Sequence, residues 1–226
     1  MPEPAAPPTP PLTPRAERTG PVAGVLLAAG SSTRMGETNK LLLEIDGESL
    51  LRRAARRAVE AGLDPVVVVL GHDAERAAEE LDGLAVRPAV NADHATGIVT
   101  SVRTGLDALP AEVVAAMVLL ADMPYVGPEM MASLMALYRT SDVPLVLSDY
   151  EGVNAPPMLY DRSLFAELVA MDDGRCGKQV VKRHRHEARI IGWPAFALAD
   201  LDTPEDAERV IAAVTAHDAA PAGAAS

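Results

Sequence analysis

Short runs rich in Val, Leu and Met alternate along the chain with stretches in which apolar residues recur every three or four positions. The runs are Val22–Ala28, Pro65–Leu70, Val86–Ala89, Met117–Ala121 and Val143–Ser148. Two of them, VVVVL and MVLLA, are apolar without a break, the pattern of strands covered on both faces in a parallel sheet. The helical stretches between them fall at Ser49–Ala61, Asp73–Leu81, Val99–Leu109 and Pro128–Tyr138. Strand and helix in turn predict βαβ units with right-handed crossovers, and so an α/β fold on a mostly parallel sheet.

End signals support these elements. In the first helical stretch Leu50, Leu51, Ala54, Ala55, Ala58 and Val59 form one face, and Gly62 stands where a helix-terminating glycine belongs. Arg52, Arg53, Arg56 and Arg57 form the opposite face; the row reads as solvated, with an anion-binding face as the alternative. Thr203-Pro204-Glu205-Asp206 gives an N-cap, a first-turn proline and two acids, ahead of a helix with Val210, Ile211 and Val214 on one side. Seven prolines in the first fourteen positions preclude a helix or a central strand there. Residues 1–20 therefore read as a disordered tail, 21–215 as a single domain, and 216–226 as a small-residue end that frays.

Composition narrows the field. Of 226 residues, 20 are Lys or Arg and 32 Asp or Glu, a formal charge of −12 that argues against a nucleic-acid or anionic-membrane surface. It leaves room for one small phosphate pocket built from a few cations. The single Cys176 excludes an internal disulfide and a Cys-rich zinc site. No apolar run approaches the ~20 residues of a membrane span, and the N-terminus lacks the basic start and apolar core of a signal peptide. A cytoplasmic protein is expected.

The most informative segment runs from Leu27-Ala28-Ala29-Gly30-Ser31-Ser32 through Arg34 to Lys40. Small residues follow a buried strand, so backbone N–H groups can wrap a triphosphate while Arg34 and Lys40 neutralise it. The alternative is a polar loop with incidental cations. The spacing is neither a P-loop nor a dinucleotide fingerprint. Asp122 ends a buried strand at the edge where open α/β sheets bind ligands, and can hold Mg²⁺ against phosphates or simply cap the turn. Asp200 and Asp202 are two apart, so both can face one metal if extended; Asp200 is preferred, because Asp202 fits the start of the helix. His72 and His94 follow strands near that edge, where either can touch substrate or simply occupy the loop. The run Lys182-Arg183-His184-Arg185-His186 reads as a solvated face or a patch for an acidic partner, its cations opposing a metal. Cys176, flanked by Gly174 and Gly177, reads as a small turn residue. No G-x-S-x-G elbow of a serine hydrolase is present.

Leu-Ala-Ala-Gly-Ser-Ser-x-Arg-Met-Gly followed by Lys40 resembles the signature of the MobA-like nucleotidyltransferases, most closely the molybdenum-cofactor cytidylyltransferase branch. Further pieces occur in order: Asp46-Gly47-Glu48-Ser49-Leu50, Gly71-His72-Asp73, Gly97 to Ser101 with Gly105-Leu106, Ala121-Asp122-Met123-Pro124, and Asp200 to Asp206. The resemblance covers residues 22–215 and implies a three-layer, Rossmann-like sandwich of the nucleotide-diphospho-sugar transferase type.

It also implies a function: transfer of a nucleoside monophosphate to a phosphorylated acceptor such as molybdopterin, with Mg²⁺ at Asp122 and Asp200 and release of pyrophosphate. Leu27 to Ser32, with Gly97 and Ser101, would contact the nucleotide; a molybdenum enzyme would receive the product. Leu27-Ala28-Ala29-Gly30 has the Leu-x-Ala-Gly form that the family pairs with CTP, where Leu-x-Gly-Gly goes with GTP. One departure concerns the acceptor side. Branch members usually carry Gly-His-Pro in a loop there; here Ala155 replaces the glycine and Pro156 the histidine, leaving Asn154 as a possible donor. Two rival classes are an oxidoreductase of the nicotine-blue type and a non-catalytic cofactor-binding chaperone.

Overall fold

The computed structural model describes residues 18–30, 39–170, 176–199 and 204–218. Strands β1 (Val22–Ala28), β4 (Val66–Leu70), β5 (Val86–Val90), β6 (Ala115–Leu120), β7 (Leu145–Tyr150), β8 (Val153–Asp161) and β9 (Arg189–Trp193) form one sheet in the order β5-β4-β1-β6-β8-β7-β9. Only β8 runs against its neighbours, antiparallel to both β6 and β7. Six strands share a direction, so the mostly parallel sheet expected from the apolar runs is what forms.

Period-two burial along β1 feeds two cores. Val22, Leu26 and Ala28 join the layer of α1 (Leu50–Glu60) and α4 (Pro128–Thr140), whereas Ala23, Val25 and Leu27 join that of α3 (Ile98–Asp107), α5 (Phe165–Val169) and α6 (Cys176–His184). The molecule is thus a three-layer sandwich. A short hairpin of β2 (Glu44–Ile45) and β3 (Glu48–Ser49) turns at Asp46 and Gly47, φ 54° and 78°, the backbone that a two-residue primed turn demands. Its Ile45 packs with Leu50, Val210 and Val214, which seats α7 (Pro204–Asp218). The helix α2 (Ala74–Glu79) follows β4.

Helix α1 begins and ends as the sequence indicates. Ser49 Oγ accepts from Arg52 N at 3.2 Å. At the other end Gly62 N reaches Val59 O at 2.9 Å and Leu63 N reaches Ala58 O at 3.3 Å, the paired closure of a left-handed C′ residue. Its arginine row is not the solvated face expected. Arg53 and Arg57 are 6% and 9% exposed, because α7 and the turn after β6 cover that side. Periodicity sorts residues between faces of a helix; it does not reveal that both faces have partners.

Two other segments differ from their reading. The stretch around Asn154, Ala155 and Pro156, expected to be a loop, lies within β8 itself. The two prolines, which cannot donate to the ladder, fall where the β7–β8 register shifts between Val146 and Ser148, an irregularity that tolerates them. The basic run is helical to His184 and then forms a 3₁₀ turn at Arg185–Glu187. It is only partly solvated: His184 bonds Glu167 at 2.8 Å, Arg183 pairs with the same carboxylate, and His186 stays exposed.

Residues 1–17 of the proline-rich stretch lie outside the described residues, as do 219–226. Arg18 is fastened at the edge of the sheet where β1 begins, donating to Asp161 Oδ2 at 2.9 Å and Val143 O at 3.1 Å. The Tyr138 hydroxyl donates to the same carboxylate oxygen at 2.6 Å, and the Arg18 guanidinium lies 4.6 Å from the Tyr138 ring centre. Burial pushes the Tyr138 hydroxyl up to about 12, helped by the bond to Asp161.

Candidate active site

At the opposite edge the strands end and a cavity of about 320 Å³ opens. Its floor is the end of β1, Leu27 and Ala28, continued by Ala29 and Gly30. On one side stands the 3₁₀ turn Lys40–Leu42, capped by Asn39, whose side chain accepts from Leu41 N at 3.1 Å. On another stands the start of α3, with Gly97 and Ser101 in the wall. β6 contributes Leu120 and, one residue into the turn beyond Ala121, Asp122.

Lys40 and Asp122 meet there: Nζ donates to Oδ2 at 2.6 Å, with side chains 16% and 22% exposed. The pair is part-buried, so desolvation offsets much of its Coulomb attraction and it is weak evidence for stability. It does keep one cation and one carboxylate poised at the ligand edge. Asp122 can serve Mg²⁺, which takes one or two carboxylates and completes its shell with phosphate and water, once Lys40 Nζ moves off the carboxylate. Among the described residues there is no cluster of three or more His, Cys, Asp or Glu.

The α3 wall is tightly organised. Asn91, buried at the end of β5, donates to Ser101 Oγ at 3.0 Å and to Thr100 Oγ1 at 2.9 Å. Its Oδ1 accepts from Asp93 N at 2.9 Å, closing an Asx turn. Gly97 has φ 132°, where a side chain would be strained, and starts α3 with no side-chain cap. The first amides of that helix favour an anion at the cavity. Asn91 was not singled out from the sequence; the Asn-x-Asp turn signal after an extended run was the available hint.

The predicted residues fall into three groups. Leu27, Ala28, Ala29, Gly30, Lys40, Gly97, Ser101 and Asp122 line one cavity. Ser31, Ser32, Arg34, Asp200 and Asp202 lie outside the described residues, as does the side chain of Cys176. His72 and Asn154 sit elsewhere. His72 is exposed beyond the wall, its ring centre 6.4 Å from that of His94, and it is His94 that lines the cavity. Asn154 borders a second cavity of about 330 Å³, together with Ala155, Pro156, Tyr160 and Lys178. The two cavities share Leu27, Ile98 and Leu120. Within the second, Asn154 Nδ2 is tied to Asp149 Oδ2 at 2.9 Å, and its Oδ1 accepts from Arg185.

Comparison with known proteins adds the following. Residues 24–188 match the MobA-like NTP transferase domain. A probable molybdenum cofactor guanylyltransferase of Natronomonas pharaonis is 39% identical over 207 residues, 85% of this chain and 96% of that protein. A nicotine blue oxidoreductase of Paenarthrobacter nicotinovorans is 29% identical over 171 residues, 73% of this chain and 82% of the other. The solved structure of an Rv0371c homologue from Mycobacterium sp. strain JC1 superposes with a TM-score of 0.74 at 29% identity, covering 87% of this chain and 98% of that one.

Proposed function

Because the chain belongs to the MobA-like NTP transferase family, we propose that it transfers a nucleoside monophosphate from a nucleoside triphosphate to a phosphorylated small molecule. A phosphate oxygen of the acceptor attacks the α-phosphorus, the bond from that phosphorus to the bridging oxygen breaks, and pyrophosphate leaves. The observation that carries this reading is the Lys40–Asp122 pair at 2.6 Å in a cavity walled by the end of β1 and the uncapped start of α3.

Each residue then has a task. Lys40 and Arg34 place positive charge against the triphosphate. The backbone from Ala28 to Ser32 takes the base and β-phosphate side, while Gly97 and Ser101 face the base or ribose. Asp122, with Asp200 and secondarily Asp202, would hold Mg²⁺, which supplies charge neutralisation at the phosphate oxygens. The residues themselves do little covalent chemistry: they bind, orient and stabilise charge. The acceptor enters from the Asn154 side, across the shared wall of Leu27, Ile98 and Leu120.

The nucleotide is CTP in this reading, on the strength of Ala29, although the relative at 39% identity is named for guanylyl transfer. The acceptor is of the molybdopterin class, and the product passes to a molybdenum enzyme. A reducing, cytoplasmic setting fits the single Cys176. The second reading, a nicotine-blue-type oxidoreductase, draws on the similarity to that enzyme over 73% of the chain. Lys40 opposite Asp122 favours phosphate chemistry over it, and over a non-catalytic cofactor-binding chaperone.

Thermal shifts with CTP, GTP, NADPH and a molybdopterin, each with Mg²⁺, separate the three. A ligand at 100 times its dissociation constant adds ~2.7 kcal/mol. Stabilisation by a triphosphate, with pyrophosphate released once the pterin is added, supports transfer. Stabilisation by NADPH alone supports the oxidoreductase, and by the pterin alone the chaperone; either result overturns transfer.

A further inference from the structure

Helix α1 buries two guanidinium groups, which is costly unless their donors are used. Arg57 uses its own on a particular target. Nη1 donates to Pro124 O at 2.7 Å and to Val126 O at 3.3 Å, and Nη2 to Asp218 Oδ2 at 2.9 Å. Burial, with the charges of Arg53 and Arg56, pushes Arg57 down to about 10, which still leaves it charged at neutral pH. Arg53 pairs with Asp218 as well and lies 3.9 Å from Glu48.

The two carbonyls belong to the turn that leaves β6 and carries Asp122. Two backbone bonds bracket that turn: Ala121 N to Leu27 O of β1 at 3.2 Å and, within the turn, Val126 N to Met123 O at 3.2 Å, with Pro124 offering no N–H. Between those bonds the Asp122 carboxylate is held by Lys40 Nζ, and the carbonyls that follow it in the turn accept from Arg57. We propose that Arg57 is a positioning residue for Asp122, fixing the turn through the Pro124 and Val126 carbonyls and tying it to the end of α7 through Asp218.

This inference rests on the transferase reading for its consequence, though not for its geometry. Arg57 touches no cavity wall of the nucleotide side; it acts on the angle at which the carboxylate is presented. Groups that orient a metal ligand from behind typically change metal affinity by 10–100-fold when removed. Arg56, on the same helix, supplies the contrast, since its bonds go to Glu48 at 2.9 and 2.8 Å and to Glu60 at 2.8 and 2.9 Å.

Two measurements on the full chain test it. First, amide hydrogen exchange without ligand compares wild type, Arg57→Ala, Arg57→Lys and Arg56→Ala. Exchange across residues 121–127 should quicken about tenfold in Arg57→Ala and less in Arg57→Lys, with β1 and β4 unchanged. Second, Mn²⁺ is titrated into each variant in the presence of CTP or GTP. Binding should weaken at least tenfold in Arg57→Ala, recover in part with Arg57→Lys, and stay within twofold of wild type in Arg56→Ala. Should Arg57→Ala not fold, Asp218→Asn, which removes one anchor and no core atom, is expected to loosen the same turn. Unchanged exchange at 121–127, or Mn²⁺ affinity within twofold of wild type in folded Arg57 variants, overturns the inference alone. Mn²⁺ binding that Asp122→Asn leaves intact overturns the transferase metal site, and this consequence of Arg57 with it.

Discussion

Gly71 and His94 are in such close contact that no side chain fits between them: a Cβ on Gly71 would lie 2.6 Å from His94 Cβ and 2.7 Å from Ala29 O. The end of β4 therefore sets where His94 stands in the cavity wall. Gly71→Ala must displace either the imidazole or the backbone at Ala29. Overpacking of this kind costs ~1–3 kcal/mol. We expect a lower urea midpoint together with weaker nucleotide binding; a variant with wild-type values for both would mean the wall yields freely.

Lys40→Ala and Arg34→Ala should each lower turnover by ~10²–10³. For Lys40→Ala, whose partner is a partly exposed Asp122, the melting temperature should move little. Asp122→Asn and Asp200→Asn should abolish Mg²⁺-dependent turnover, and Asp202→Asn should do less. Rate assays over a Mg²⁺ series, run beside melting curves, make the comparison. Near-normal turnover with a melt several degrees lower would assign these residues to structure.

Acid stability should depend on Asp161. Burial raises its carboxyl, but hydrogen bonds from Tyr138 and Ser163 and the charge of Arg18 outweigh burial and hold it below the usual carboxylate range. A depressed carboxyl stabilises the fold above the unfolded pKa of ~3.9, and that contribution is lost as pH falls through the folded value. Asp161→Asn should be less stable than wild type at neutral pH, with the difference shrinking below about pH 4. Chemical denaturation from pH 7 down to 3 measures it; a constant difference across that range would remove Asp161 from the acid limb.

Nucleotide choice should move with residue 29. Ala29 is 5% exposed and lies in the floor of the cavity, so Ala29→Gly opens space where the proposed reading puts the base. A methyl's worth of sterics gives ~1–3 kcal/mol of discrimination, hence a partial shift from CTP toward GTP. Competition between the two in single-turnover reactions would report it. An unaltered ratio would place the selection elsewhere.

Ala155 and Pro156 border the second cavity, so their departure from the family pattern falls on a surface that an acceptor can meet. Poor use of molybdopterin by the natural chain is expected, with Ala155→Gly plus Pro156→His raising the rate of pyrophosphate release. Robust activity in the unaltered protein would make the departure harmless.

What the sequence discloses, and what it withholds, follows from range. The VVVVL and MVLLA runs, Ser49 and Gly62 announce strands and helix ends because their causes lie within a few residues. The Lys40–Asp122 cavity was legible for a related reason, since strand ends in such a sheet gather on one edge. Arg57 and Asn91 were not. Their partners, Asp218 and Ser101, are chosen by packing across 161 and 10 residues; the local Asn-x-Asp signal marks a turn at Asn91 but not its bond to Ser101. β8 was missed because two prolines and a preceding glycine mimic a loop, while the register shift that accommodates them is a property of β7 as well.

The reversed direction of β8 has a consequence for how this protein can change. Its neighbours deliver their last residues to the ligand edge, whereas β8 delivers its first, Asn154 to Pro156. The second cavity is thus lined by the opening of one strand that the nucleotide side does not use. Substitutions there can reshape one compartment while Lys40, Gly97 and Ser101 keep theirs intact. If the proposed transfer holds, a lineage built on this sheet can exchange what it modifies without relearning what it modifies with.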